Sequence, residues 1–194
     1  AINPAIRVQV LRYLSATANA GATIYYDINF RPSHIQDLPA VKENVLENIR
    51  LSSVVRGSME DFHCLFGMDV GDSDRYALAE EIYYRHLKGE CLYLLVTDGA
   101  RAVHVLSPVR HRVFEVAPID TVSTVGAGDN FNAGIMYFMF KKGITHADLS
   151  GLPEDVWAQM VNTAQQFSAC VCQSLDNYVS NEFIATLQDE DAVV

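Results

Sequence analysis

The segment Thr124-Val125-Gly126-Ala127-Gly128-Asp129 combines a flexible turn with an acid, and an apolar run at residues 131–140 follows at once. Gly126 and Gly128 let the backbone bend and approach a ligand with no Cβ in the way. A helix opening here aims unpaired N–H groups and a partial positive charge at whatever sits in front of it, which makes an anion site. Asp129 then puts a carboxylate beside the bound anion. Chemistry would justify that: the loop holds a phosphoryl group and the carboxylate takes the proton of the attacking hydroxyl. The same residues also suit a plain capped turn, because Asp is a good first-turn residue and short motifs match by chance. On this segment alone both readings stand.

Two further clusters carry chemistry. Asp27, Asn29 and Arg31 are spaced by two. If the preceding strand continues, all three point to one side, at the carboxyl end of a strand where α/β folds bind ligands. A solvated loop ended by Pro32 is the alternative; three different hydrogen-bonding groups on one face favour a site. Ser58-Met59-Glu60-Asp61 reads as a capping box with Asp in place of the usual Glu. That structural role suffices by itself, and a functional one would set Glu60 or Asp61 near a metal-bound water.

The elements that position these residues alternate in type. Residues 4–20 read as a helix, with Pro4 in the first turn, an apolar stripe of Ile6, Val10, Tyr13 and Leu14, and a stop at Gly21. A short apolar strand at 23–28 suits a sheet covered on both faces. Helix 41–50, strand 53–55 and the helix begun by Ser58 follow. Helix 72–88 has its stripe through Leu78, Ile82 and Leu87. Strand 92–96, the turn Thr97-Asp98-Gly99, strand 102–106 and a last extended piece at 112–116 come next, with Arg110-His111-Arg112 on an exposed turn. The run 131–140 has almost no polar face, so it is expected to be a central helix buried on most sides, closed by Gly143. Helices at 154–175 and 181–187 and an acidic tail complete a single α/β domain over residues 1–194.

Bulk properties limit the partners. The formal net charge of -10 disfavours nucleic acid and anionic membranes, which need a basic face. No apolar run reaches membrane-spanning length. The cysteines Cys64, Cys91, Cys170 and Cys172 form no C-x-x-C pair, and the histidines have no zinc-binding spacing. Buried free thiols in a reducing cytoplasm are expected. The loop lacks G-x-G-x-x-G, with Phe131 where the third glycine would stand, and no G-K-[ST] follows; dinucleotide and P-loop folds are set aside.

Taken together and in order, these motifs resemble the ribokinase-like (PfkB) carbohydrate kinases. Asp27-x-Asn29-x-Arg31 resembles the D-x-N-x-R stretch of the fructokinase and 2-keto-3-deoxygluconate kinase branches. Ser58-x-x-Asp61 resembles the segment that places Mg²⁺ through water, Thr97-Asp98-Gly99 the T-x-G turn beside the nucleotide, and residues 124–129 the signature D-T-x-G-A-G-D. The resemblance implies a three-layer α/β/α, Rossmann-like sheet and transfer of the γ-phosphoryl group of ATP to a sugar or sugar-acid hydroxyl. Asp129 would be the base, the N–H groups of Ala127, Gly128 and Asp129 the anion hole, and Gly126 a further residue of the catalytic turn. Thr97, Gly99, Thr124 and Asn162 would lie at the nucleotide, Asp27, Asn29 and Arg31 at the sugar, and Asp61 with Glu60 at water-bound Mg²⁺.

The sequence also departs from that family. Ser123 stands where the signature begins with Asp, which leaves K⁺ without its carboxylate unless Asp120 substitutes. Asp61 is one methylene shorter than the usual Glu, and Ala102 replaces a frequent glycine. The N-terminal strands and β lid of the family, with most sugar contacts, are not in this sequence. Ala1 is therefore not expected to be a natural start, and an apolar sheet edge is expected to need cover. A non-catalytic nucleotide-binding module, a kinase for a nucleoside or vitamin precursor, and a homodimer stay open.

Overall fold

The computed structural model describes residue 3 and residues 5–68, 74–87 and 89–189. Pro4, the end residues Asp72 and Lys88 of the expected fourth helix, and the acids Glu190 and Asp191 lie outside the described residues. The chain divides into two compact units, Ala1–Glu115 with Thr145–Ser150, and Val116–Ile144 with Gly151–Val194.

In the first unit, α1 (Arg7–Asn19) leads into β1 (Tyr25–Asp27) through Gly21, whose φ of 71° makes the turn. A 3₁₀ turn, Pro32–Asp37, opens α2 (Leu38–Arg50). Then come β2 (Val54–Ser58), α3 (Met59–Phe66) and α4 (Arg75–Glu80), followed by β3 (Tyr93–Asp98), β4 (Ala102–Ser107) and β5 (Arg110–Glu115). Among the described residues the strands form one sheet in the order β1-β2-β3-β4-β5. The first three are parallel, with Asp27 beside Arg56 and Ser58 beside Thr97; the last two return antiparallel. This is a mixed α/β sheet, as the resemblance implies, and it brings the ends of β1, β2 and β3 to the same side. One apolar cluster holds it together, with Val45, Ile49, Phe62, Leu65, Ile82, Leu94 and Val96 almost wholly buried. Each such side chain contributes about 1.5–3 kcal/mol when taken out of water.

Leu78, Ile82 and Leu87 are buried as the stripe required. The last step is five residues long, and the chain accommodates it by widening from α4 into a π-helical turn over Glu81–Leu87. Three expectations are corrected. The stripe of α1 is not buried: Ile6 is 47% and Tyr13 72% exposed, and the buried residue of this helix is Arg7, held by Asn48 and Glu47 of α2. Arg110, His111 and Arg112 do not form an exposed turn but run along β5, where His111 stacks on Tyr76. Strand β1 stops at Asp27, and Asn29 adopts φ 45°, so no continuous strand carries the D-x-N-x-R spacing.

The second unit is helical. The glycine turn opens α5 (Ala127–Lys141), which Gly143 ends at φ 63°. The short α6 (His146–Leu149) belongs to the first unit, where His146 Nδ1 lies 2.9 Å from Ser53 Oγ and Leu149 is fully buried. Helices α7 (Glu154–Cys172) and α8 (Asn181–Asp189) complete the second unit. A Cβ on Gly134 would stand 2.6 Å from Ala164 Cα, so α5 and α7 pack backbone to backbone. Helix α5 is less buried than its composition suggests: Met136 is 50% and Phe140 91% exposed. No helix among the described residues is long and apolar enough to cross a membrane.

Candidate active site

In the first unit the predicted residues gather at the carboxyl ends of the parallel strands. Asp27 ends β1 and accepts from Arg56 Nη1 at 3.2 and 3.3 Å. Arg56 Nη2 donates to Thr97 Oγ1, near the end of β3, at 2.8 Å. A buried guanidinium in the middle strand thus joins two motifs read separately in the sequence. Enclosure beside this network raises the pKa of the Tyr25 hydroxyl, against the pull of the Arg56 charge. The expected strand 53–55 stops three residues short of the observed end of β2 and so leaves Arg56 outside it. The signal was there, since a charge following Val54-Val55 inside a buried run requires a partner.

Past β1, Ile28 and Phe30 are buried while Asn29 and Arg31 are exposed. The anchoring of the two apolar residues keeps the two polar ones on the open side although the strand has ended. Neither Asn29 nor Arg31 makes a side-chain hydrogen bond among the described residues. At the other end of the network Gly99 turns the chain with φ 56°, and nothing lies within 4 Å of where its Cβ would be. The buried Asp98 is flanked by Arg101 at 3.4 Å and Arg75 at 3.8 Å.

The Ser58 capping box forms in full. Ser58 Oγ accepts from the Asp61 N–H at 3.1 Å, and Asp61 Oδ2 accepts from the Ser58 N–H and Oγ–H at 2.6 Å each. Asp61 is buried, and Glu60 is exposed beside it. Among the described residues no three His, Cys, Asp or Glu side chains are grouped as a metal site.

In the second unit the glycine turn is fixed from three sides. Gly126 has φ 81°, and a Cβ there would meet Asn177 Cβ at 3.1 Å. Asn130 Nδ2 bridges the carbonyls of Gly126 and Asn177 at 2.9 and 3.1 Å. Ser168 Oγ, from α7, donates to the Ala127 carbonyl at 2.6 Å. The Ala127 N–H donates to Thr124 O at 3.2 Å and is already committed. The Gly128 and Asp129 N–H groups have no acceptor among the described residues, and the exposed Asp129 carboxylate has no partner among them. Ser123 Oγ accepts from the Val125 N–H at 3.2 Å, a local turn where the carboxylate expected from the signature would stand. Asn162 lies exposed on α7. Asn130, Ser168 and Asn177, which hold the turn in shape, carried no motif and could not be found by spacing.

The family profile described as pfkB family carbohydrate kinase matches residues 1–183. A fructokinase of Escherichia coli is 29% identical over 139 residues, which cover 72% of this chain and 43% of that protein. Among solved structures, a fructokinase with bound ATP from Xylella fastidiosa superposes with a TM-score of 0.74 at 19% identity, covering 98% of this chain and 59% of that one. A Vibrio cholerae fructokinase double mutant bound to fructose, ADP and potassium gives a TM-score of 0.74 at 17% identity, covering 95% and 56%. The chain therefore spans about half the length of the proteins it matches. The order of its motifs, its mixed sheet and the profile match agree: this chain belongs to the pfkB family of carbohydrate kinases.

Proposed function

We propose that this chain carries the nucleotide-binding and catalytic portion of an ATP-dependent sugar kinase, with a fructose-like sugar or sugar acid as acceptor. The observation that carries the reading is the pairing, on one helix turn, of the exposed Asp129 carboxylate with the N–H groups of Gly128 and Asp129, none of which has a partner among the described residues. Asp129 takes the proton of the attacking hydroxyl, and the two N–H groups meet the charge that grows on the transferred phosphoryl group. Thr97, Gly99, Thr124 and Asn162 serve the nucleotide. Arg31 and Asn29 face the acceptor, where a free guanidinium suits a hydroxyl-rich or carboxylate-bearing sugar.

Magnesium, when bound with ATP, offsets phosphate charge that an acidic protein cannot neutralise with side chains. Glu60 and the capped Asp61 would hold it through water, in keeping with the lack of a direct ligand cluster among the described residues. The uncharged Ser123, already engaged by Val125, offers potassium no carboxylate. Asp129→Asn in the full-length protein should lower kcat by about 10²–10⁴-fold with ATP affinity little changed. Turnover that survives the substitution overturns the role of Asp129. ATP binding without transfer to any sugar identifies a non-catalytic module.

A further inference from the structure

We infer that Arg56 is a positioning residue that couples the acceptor-side D-x-N-x-R turn to the nucleotide-side T-D-G turn. The role builds on the kinase reading; the network itself does not. Arg56 lies in β2, between the two strands that carry those motifs, and its planar fork reaches both at once: Asp27 Oδ1 and Oδ2 through Nη1, Thr97 Oγ1 through Nη2. It is 8% exposed, and its Nε is buried with no hydrogen-bond partner among the described residues.

Packing alone does not call for a charge here. Val54, Val55, Leu94, Leu95 and Val96 around it are apolar and buried, and an apolar side chain would avoid the desolvation of a buried ion pair. The charge does something that packing would not. Thr97 Oγ1 accepts from the guanidinium, so its own proton is turned away from Arg56 and left to donate to an acceptor such as a phosphate oxygen. The same guanidinium offsets the charge of Asp27, so that this carboxylate does not place a bare negative charge on the acceptor side. One rigid cation thereby sets the donor sense of one turn and the charge of the other. Lysine, a point charge on a flexible stem, cannot hold both partners in a plane.

Double-mutant cycles on the purified protein test this, with Asp27→Asn and Thr97→Val singly and together. One cycle reads the melting temperature, the other the dissociation constant for ATP with magnesium. The substitutions should be non-additive in both. Asp27→Asn alone should weaken ATP at least about fivefold, although Asp27 lies two strands from Thr97. Arg56→Lys should recover most of the melting temperature lost in Arg56→Gln but not the ATP affinity, a split that a purely structural residue would not give. Additive melting shifts overturn the network. Non-additive melting with ATP affinity indifferent to Asp27→Asn overturns the positioning role alone. Absence of ATP binding in the unsubstituted protein overturns the kinase reading and this role with it, while the melting cycle still decides whether the network exists.

Discussion

Gly126 meets two demands that no other residue type meets together: a left-handed φ of 81° and an approach to Asn177 that leaves a Cβ only 3.1 Å of room. Gly126→Ala should therefore destabilise the protein by about 1–3 kcal/mol, read as a shift in the urea midpoint without change in slope. An unchanged midpoint would mean that the turn relaxes freely. At Ser58 and Asp61 the reciprocal bonds predict a different pattern. Ser58→Ala and Asp61→Ala should each cost about 1 kcal/mol, and the double substitution little more, since each removes the same cap. If Asp61 also serves water-bound magnesium, only its substitution should raise the magnesium needed for ATP binding. The cap was legible in the sequence because Ser and an acid three residues apart are a local device. That Arg56 needs a partner was legible, but which partners it takes was not, because they come from strands 29 and 41 residues away.

At the scale of elements, β4, β5 and α4 meet over a pair of histidines. His104 Nδ1 and His111 Nε2 are 3.0 Å apart; Tyr76 stacks on His111 and Glu80 Oε1 lies 3.5 Å from its Nδ1. Burial lowers the pKa of both rings, with His111 adding to the effect on His104; the acids Asp98 and Asp74 for His104, and Glu80 for His111, oppose it. Groups with folded pKa values below the usual 6.5 contribute stability that is fully present above that pH and lost as pH falls through the folded values. The melting temperature should thus drop between pH 7 and pH 5, and His104→Phe should flatten the decline; a profile unaltered by the substitution would clear the pair of this role. Between α5 and α7 the contest is steric. Gly134→Ala gains about 1 kcal/mol of helix propensity. Against that stands a backbone atom at 2.6 Å, and overpacking of this kind costs about 1–3 kcal/mol, so net destabilisation is expected in a melt.

Element type was legible where the period was strong, as in α2, α7 and the buried strands. It was misleading where a stripe had no cover. Ile6 at the N-cap of α1, Tyr13 within it, and Met136 and Phe140 of α5 have the pattern of a buried face yet lie exposed, because periodicity records which side is apolar and not what packs on it. The extended piece expected at 112–116 overlaps most of β5, but its start was hidden by Arg110, His111 and Arg112, residues that read as a turn yet suit the edge of a sheet, where charge discourages pairing with another chain.

On the scale of the whole molecule, the units are not consecutive in sequence: residues 145–150 belong to the first, between two segments of the second. Leu149 there is fully buried, so Leu149→Ala should cost about 2–5 kcal/mol. If the units are distinct cooperative bodies, hydrogen exchange should quicken in β1 and β2 and not in α5 and α7. Uniform quickening would mean that the chain opens as one. The interleaving also bears on synthesis. A ribosome delivers β1 to β5 early, but the short piece that finishes their unit leaves only after α5 has been made. A growing chain cannot complete its first unit before committing part of its second, so the order of translation and the order of folding are out of step here.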